Sequence, residues 1–286
     1  MANLKDIRKR ISSVKSTQQI TKAMQMVAAA KLKKAQDNVV QARPYAAKMS
    51  EVLASLAVRV KPEKHPLLQR RDEKKIELVV IASDRGLCGG FNTNVMKMAD
   101  SFLQEKSGGE CEVVLSVVGR KARDYYRRRD WEFQTEELNP GMVDFQWAER
   151  ISRDLIDRYV EKEIDAVYVA YTEFKSAMTQ EVIVKRLLPL EPKPLAEDEI
   201  PVEYIYEPSE DALLADILPR YVYTQVFRML LESVASEHGS RMTAMDSATN
   251  NAIEMTAKLT LLYNRARQAA ITTELMEIVS GAEALN

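Results

Sequence analysis

Histidine is nearly absent from these 286 residues, with two, and so is cysteine, also with two. Cys88 and Cys111 are too few for a disulfide framework or a zinc cluster, and they suit a reducing compartment. No apolar run reaches 18 residues, which predicts no membrane-spanning helix. The start, MANLKDIRKR, is charged at once, which predicts no cleaved leader. Glycine is missing altogether from residues 1–60. A long stretch without glycine can hold one continuous helix.

Charge of one sign is also scarce in places. Residues 1–60 carry twelve Lys/Arg against three Asp/Glu, a balance of +9, while residues 61–210 stand at −7 and residues 211–286 at −3. A basic N-terminal segment calls for an acidic surface on a partner.

What is present is heptad periodicity. The positions Leu4, Ile7, Ile11, Val14, Gln18, Thr21, Gln25, Ala28, Leu32, Ala35, Val39, Ala42, Ala46, Met49, Leu53, Leu56 and Val60 follow steps of three and four, and fourteen of the seventeen are apolar. At Gln18, Thr21 and Gln25 the apolar stripe passes to Ile20, Met24 and Val27, so the seam is expected to shift there. Pro44 is expected to kink or open the helix. A second series runs Phe227, Leu231, Val234, His238, Arg241, Met245, Ala248, Ala252, Met255, Leu259, Leu262, Ala266, Ala269, Thr273, Met276 and Ser280. Twelve of these sixteen are apolar. This helix is expected to start near Asp211, with Pro219 at a boundary or kink.

Each seam must be buried, and each helix is the economical partner of the other. The expectation is a long antiparallel coiled coil of the N- and C-terminal helices, with residues 1–60 and 211–286 as its arms. Small residues (Ala28, Ala35, Ala42, Ala46; Ala248, Ala252, Ala266, Ala269) would let the arms approach closely. An ordinary bundle is the alternative, although no third and fourth long helices are in sight.

The middle reads as α/β. The runs IELVVIAS (76–83), CEVVLSVV (111–118) and IDAVYVAY (164–171) are buried strands, with helical stretches at 92–106, 120–129 and 143–163 between them. That alternation predicts a doubly wound, Rossmann-like parallel sheet over 76–210, behind a charged linker at 61–75. EVIVKRLLPL (181–190) and PVEYIYEP (201–208) would add strands or edges.

The loop ASDRGLCGGFN (82–92) follows the first strand, as a phosphate-binding loop would. It has no lysine before Lys97, and its glycines at 86, 89 and 90 fit neither nucleotide pattern. A tight strand-to-helix turn is the plainer reading. Neither His65, in the linker, nor His238, on the seam, has a sequence context that pairs with Cys88. The basic residues of the N-terminal helix are too dispersed for a zipper-type DNA reader. No catalytic set, cofactor site or metal spacing stands out.

Three segments carry a family likeness: KDIRKRISSVKSTQQITKAMQMVAAAKLKKAQ (5–36), SDRGLCGGFN (83–92) and ARQAAITTELMEIVSGA (266–282). They resemble the gamma subunit of F-type ATP synthase. The resemblance implies a central-stalk rotor. Its coiled coil turns inside a hexamer of alternating alpha and beta subunits, and its α/β foot meets epsilon and the ring of c subunits. It implies no active site on this chain, because catalysis lies on beta. The family's acidic lever loop on beta would be the target of the basic arm.

Residue by residue, Met24 and Arg241 would neighbour the acidic lever. Arg267, Gln268 and Thr272 would meet the beta catch loop. Glu274 and Val279 match positions coupled to Met24, and from Leu275 onward the helix would turn in an apolar collar. Tyr204, Tyr206 and Glu207 would meet the ring. With no cysteine after Cys111, the thylakoid type of thiol control is not expected. A bacterial enzyme at the cytoplasmic face of the plasma membrane fits best. A nucleotide-binding protein using the 82–92 loop, or a coiled-coil scaffold without a motor, are the alternative functions.

Overall fold

The computed structural model describes residues 4–57, 65–107, 111–138, 142–191 and 210–283. Its elements are α1 (Leu4–Ala57), β1 (Lys75–Ile81), α2 (Phe91–Ser107), β2 (Glu112–Val118), α3 (Arg120–Arg127), β3 (Phe133–Glu137), α4 (Phe145–Val160), β4 (Ala166–Phe174), β5 (Gln180–Leu188) and α5 (Glu210–Glu283). The chain divides into two compact units. One comprises residues 29–240; the other joins residues 1–28 to 241–286.

The larger unit is built on a five-stranded sheet of order β3-β2-β1-β4-β5. The pairs β1–β2, β1–β4 and β2–β3 are parallel, and β4–β5 is antiparallel. This is the expected Rossmann-like arrangement with a hairpin strand at one edge. The β1 run is apolar because both sheet faces are covered. On one face, Val79, Ile81, Val167, Val169 and Tyr171 meet Trp147, Ile151 and Leu155 of α4 and Leu218, Val222 and Val226 of α5. On the other, Leu78, Val80, Leu115 and Val117 meet Val95 and Ala99 of α2 and Ala122 and Tyr126 of α3.

β3 was not expected from the sequence. It is five residues long, and its side chains alternate between exposed and half-buried. Glu136 on it is paired with Arg123 and Arg127. A short, charged edge strand resists pairing with another chain, and the same charge hides it from a search for apolar runs. The segment 201–208 lies outside the described residues.

One charge is wholly buried in this sheet. Glu77 of β1 is 0% exposed. Arg158 of α4 donates Nε to Oε2 at 2.9 Å and Nη2 to Oε1 at 2.7 Å, and Ser116 of β2 donates to the same carboxylate. A second carboxyl, Glu232 of α5, is also buried, with its Oε1 3.0 Å from Arg228 Nε. Glu232 Oε2 and the Tyr171 hydroxyl are buried without hydrogen-bond partners. Desolvation raises the Glu232 pKa, against the opposing charge of Arg228; Glu173, Lys185 and Arg43 are the other charges that act on it. A raised carboxyl pKa favours the protonated form in the fold. Its stabilising contribution is complete below the unfolded pKa and is lost as pH rises through the folded one. Glu232→Gln is therefore expected to raise the melting temperature at pH 8, with the difference from wild type shrinking as pH falls towards 4.5. Calorimetry across that range checks it; a difference independent of pH would contradict it.

In the smaller unit α1 contributes Leu4–Ala28 and α5 contributes Arg241–Glu283. Arg8 donates to the Tyr263 hydroxyl at 2.6 Å, Thr21 contacts Thr249 at 2.8 Å, and Gln25 donates to Asp246 at 2.7 Å. Partner numbers fall along α5 as they rise along α1, so the helices are antiparallel. The helical run of α1 continues through Pro44, and that of α5 through Pro219. Neither proline ends its helix. Pro44 lies on an exposed face, where water can satisfy the carbonyl it orphans.

Candidate partner-binding surface

The glycine loop has the geometry of a turn. Positive φ falls at Leu87 (62°) and Gly89 (56°), so of the three loop glycines only Gly89 needs its lack of a side chain for this reason. Asn92 ties the loop down. Its Oδ1 accepts from the Ser83 amide at 3.0 Å, and its Nδ2 points at the Cys88 sulfur at 3.2 Å. Cys88 is 1% exposed.

In a sheet of this order, ligands bind beyond the carboxyl ends of the strands. Here α5 packs over the strand ends. Leu230, Ser233, Val234 and Glu237 stand over Ile81, Ala82 and Val118 with about 10 Å³ between them, room for one water, and beside them a groove of about 570 Å³ is lined by Asp84, Arg85, Arg120 and Glu237. Ser236 donates to the Thr172 carbonyl at the end of β4. Gly119, opening α3, has φ 96°, and a Cβ there would lie 2.1 Å from the Ala82 carbonyl oxygen. That approach closes the β1 and β2 ends together. Among the described residues no cluster of His, Cys, Asp or Glu could hold a metal, and no helix is long and apolar enough to cross a membrane.

The two arms of the smaller unit are the candidate site. On α1 the seam is Ile7, Thr21 and Ala28, buried, with Leu4, Ile11, Val14, Gln18 and Gln25 half-buried. The expected shift does not occur. Thr21 stays in the seam at 9% exposure, while Ile20 and Val27 stand out at 60% and 57%. Hydrogen bonds explain this, because Thr21 and Gln25 each find a polar partner on α5.

On α5 the seam keeps Met245, Ala252, Leu259 and Ala266 from the sequence reading, and at the alternate steps it passes to the next residue, Thr249, Thr256, Tyr263 and Ala270, all buried or half-buried. Met255 and Leu262, counted into the seam from the sequence, are exposed, and so are Ile253 and Leu261. The threonines can sit inside because their hydroxyls are satisfied: Thr249 donates to the Met245 carbonyl and Thr256 to that of Ala252. Hydroxyls thus share the seam with apolar side chains, and a further set of large apolar side chains faces away from it. The signal available in the sequence was the second apolar stripe, read as a shift when it is an additional face.

From Ile271 to Gly281 every residue of α5 is exposed, including Ile271, Leu275, Met276, Ile278 and Val279. Five large apolar side chains along one side of an exposed helix mark a surface that another protein covers. Arg267, Gln268, Thr272 and Glu274 are exposed on this stretch or just before it. The Thr272 hydroxyl donates to the Gln268 carbonyl at 2.9 Å, which leaves its lone pairs outward as acceptors. Met24 and Arg241 are both half-buried on the paired part. Met24 adjoins Gln25, whose partner Asp246 is five residues from Arg241, so the two lie within about two turns of the same height. The structure therefore groups Met24 with Arg241, and Arg267, Gln268, Thr272, Glu274 and Val279 along the α5 end. Tyr204, Tyr206 and Glu207 lie outside the described residues. Six basic side chains (Lys5, Arg8, Lys9, Arg10, Lys15 and Lys22) are exposed on the Leu4–Ala28 part of α1, against one acid, Asp6.

A family model described as ATP synthase matches residues 3–285. An ATP synthase gamma chain of Geobacter sp. (strain M21) is 54% identical over 285 residues, covering 100% of this chain and 99% of that one. One from Anaeromyxobacter sp. (strain Fw109-5) is 52% identical over 289 residues, with 100% of both chains covered. Among solved structures, a chain of the Euglena gracilis mitochondrial ATP synthase in rotational state 3 aligns with TM-score 0.70 at 21% identity, covering 99% of this chain and 94% of that one. A chain of the Tetrahymena thermophila mitochondrial ATP synthase central stalk and c-ring aligns with TM-score 0.61 at 26% identity, covering 80% and 99%.

Proposed function

The chain belongs to the ATP synthase gamma-chain family, and from that membership and the outward apolar faces of the two arms we propose that it is the central-stalk rotor. The arms turn inside a hexamer of alternating alpha and beta subunits. The α/β unit forms the foot against epsilon and the c-ring, with Tyr204, Tyr206 and Glu207 at the ring. The observation that carries this reading is a second set of large apolar residues, Ile20, Val27, Ile253, Met255, Leu261 and Leu262, on the outside of the paired arms. A free-standing coiled coil would carry polar residues on that outer face.

An apolar outer surface slides inside an apolar collar with no directional bonds to break. The polar and charged side chains do the coupling. Met24 and Arg241 stand beside the acidic lever of beta, within the basic field of α1. Arg267, Gln268 and Thr272 meet the catch loop, and Glu274 and Val279 lie above them. The shaft has no threefold symmetry, so each orientation presents different contacts to the three beta subunits. Differential contact energy shifts each beta between its open and closed states, and rotation carries those states around. Catalysis stays on beta, and the complex sits at the cytoplasmic face of the bacterial membrane, with this subunit peripheral.

The test is reconstitution. The purified chain is expected to hydrolyse no ATP and to restore ATP-driven ion pumping to membranes and hexamers depleted of it. ATP hydrolysis by the lone chain, or pumping that is indifferent to its addition, would overturn the proposal.

A further inference from the structure

One stretch of the smaller unit's seam has a density of polar contacts that packing does not require. Between the apolar positions Met245, Ala252 and Ala28, all buried, lie Thr21 and Thr249 at 9% and 5% exposure, with their hydroxyl oxygens 2.8 Å apart. Thr249 can donate to the Met245 carbonyl at 2.7 Å, and Thr21 to the Gln18 carbonyl at 3.1 Å. Two proton arrangements satisfy both hydroxyls: Thr21 donates to Thr249 and Thr249 to Met245, or Thr249 donates to Thr21 and Thr21 to Gln18. One turn away, Gln25 Nε2 donates to Asp246 Oδ1 at 2.7 Å. Gln25 Oε1 accepts from Lys22 at 3.1 Å, and Asp246 Oδ2 accepts from Asn250 at 3.4 Å.

Stability does not account for this layer. Replacing a buried hydrogen-bonded pair by apolar groups of the same shape is often neutral or stabilising. A polar group in a coiled-coil seam gives register, at a cost in stability. A relative slide of about 2 Å along the axis would stretch a 2.8 Å hydrogen bond to about 3.4 Å, near its limit. The flanking Ala28 and Ala252 resist the same slide less than larger residues would, because a single methyl interlocks weakly with the facing helix.

We infer that Thr21, Gln25, Asp246 and Thr249 form a shear lock between the two arms, and that they are positioning residues for rotary coupling. The inference rests on the rotor reading. Torque on a two-helix shaft tends to slide one helix along the other. The lock holds α1 and α5 in phase at the height of Met24 and Arg241, so that load is transmitted to beta and not absorbed by slippage.

The experiment uses the full chain with Cys88→Ala and Cys111→Ser, carrying spin labels at Lys15→Cys and Lys258→Cys, two exposed positions. Thr21→Val with Thr249→Val is expected to leave the melting temperature unchanged or higher. It should at least double the width of the label-to-label distance distribution. In the reconstituted complex without labels, ions pumped per ATP are expected to fall about twofold or more while ATP hydrolysis persists, and Thr249→Ser alone should behave as wild type. An unchanged distance width with unchanged pumping per ATP would overturn the lock, and so would a lower melting temperature with unchanged width, which marks an ordinary packing contact. If wild type itself fails to restore pumping, the rotor reading fails, and the distance width still decides whether the lock exists.

Discussion

Glu77→Ala is expected to lower the melting temperature of the α/β unit by about 6–20 °C. The carboxylate is 0% exposed, and its partner Arg158 keeps 13% of its side chain accessible. Removing one member of a buried pair leaves the other charge uncompensated, a cost of about 3–5 kcal/mol. In a unit of this size each kcal/mol shifts the midpoint by roughly 2–4 °C. Three further groups are left unpaired: both Arg158 nitrogens that faced Glu77, and the Ser116 hydroxyl. The Thr135 hydroxyl, 3.4 Å from Arg158 Nη2, is a weak substitute. Adding Arg158→Leu removes the stranded cation and fills its space with apolar volume, so the double variant should recover at least half of the loss. Thermal and urea unfolding measure both. A shift below about 2 °C for the single variant would mean that water reaches Arg158 as soon as the carboxylate is gone.

The parts of the fold that were legible in the sequence are those in which burial and side-chain type coincide. β1, β2 and β4 are covered on both faces, so their apolar runs located them. β3 is an edge with charged side chains, and no run marks it. Gly119 follows β2 with nothing in its flanks to show that the Ala82 carbonyl lies where its Cβ would be. The arms show a different limit. Counting apolar residues in heptads assumes that apolar means inward. That holds for Leu32, Ala35 and Val39, buried in the larger unit. It fails for Ile20, Val27, Met255 and Leu262, which face outward, while Thr21, Thr249 and Thr256 take seam positions beside Ile7, Ala28, Met245 and Ala252. The positions of Arg267, Gln268 and Thr272 came from motif resemblance alone. Their exposure and hydrogen bonds add the chemistry of each contact: Thr272 has spent its proton on its own helix and can only accept from a partner.

Ile20→Glu combined with Val27→Glu separates the two roles of an apolar residue on a helix. Both side chains are more than half exposed, so the isolated chain has little burial to lose. Glutamate is also a good helix former, so the expected change in melting temperature is within about 2 °C. Association with the alpha–beta hexamer should respond very differently. Full burial of a Val or Ile side chain is worth about 1.5–3 kcal/mol, and with Ile20 60% and Val27 57% exposed the pair forfeits about 2–4 kcal/mol. Desolvating two unpaired carboxylates in an apolar collar adds several more. A loss of at least about 10²-fold to 10⁴-fold in affinity follows. Met255→Glu with Leu262→Glu should repeat the result from the other helix. Thr21→Glu makes the contrast, because a carboxylate in the seam would disrupt the isolated chain as well. Calorimetry on the free chain and a titrated pull-down of hexamer measure the two effects separately. Unimpaired binding by the outward-face variants would place those faces outside the collar, and their exposed apolar residues would then need another cause. Destabilisation of the free chain would show instead that the outward stripe packs within the chain.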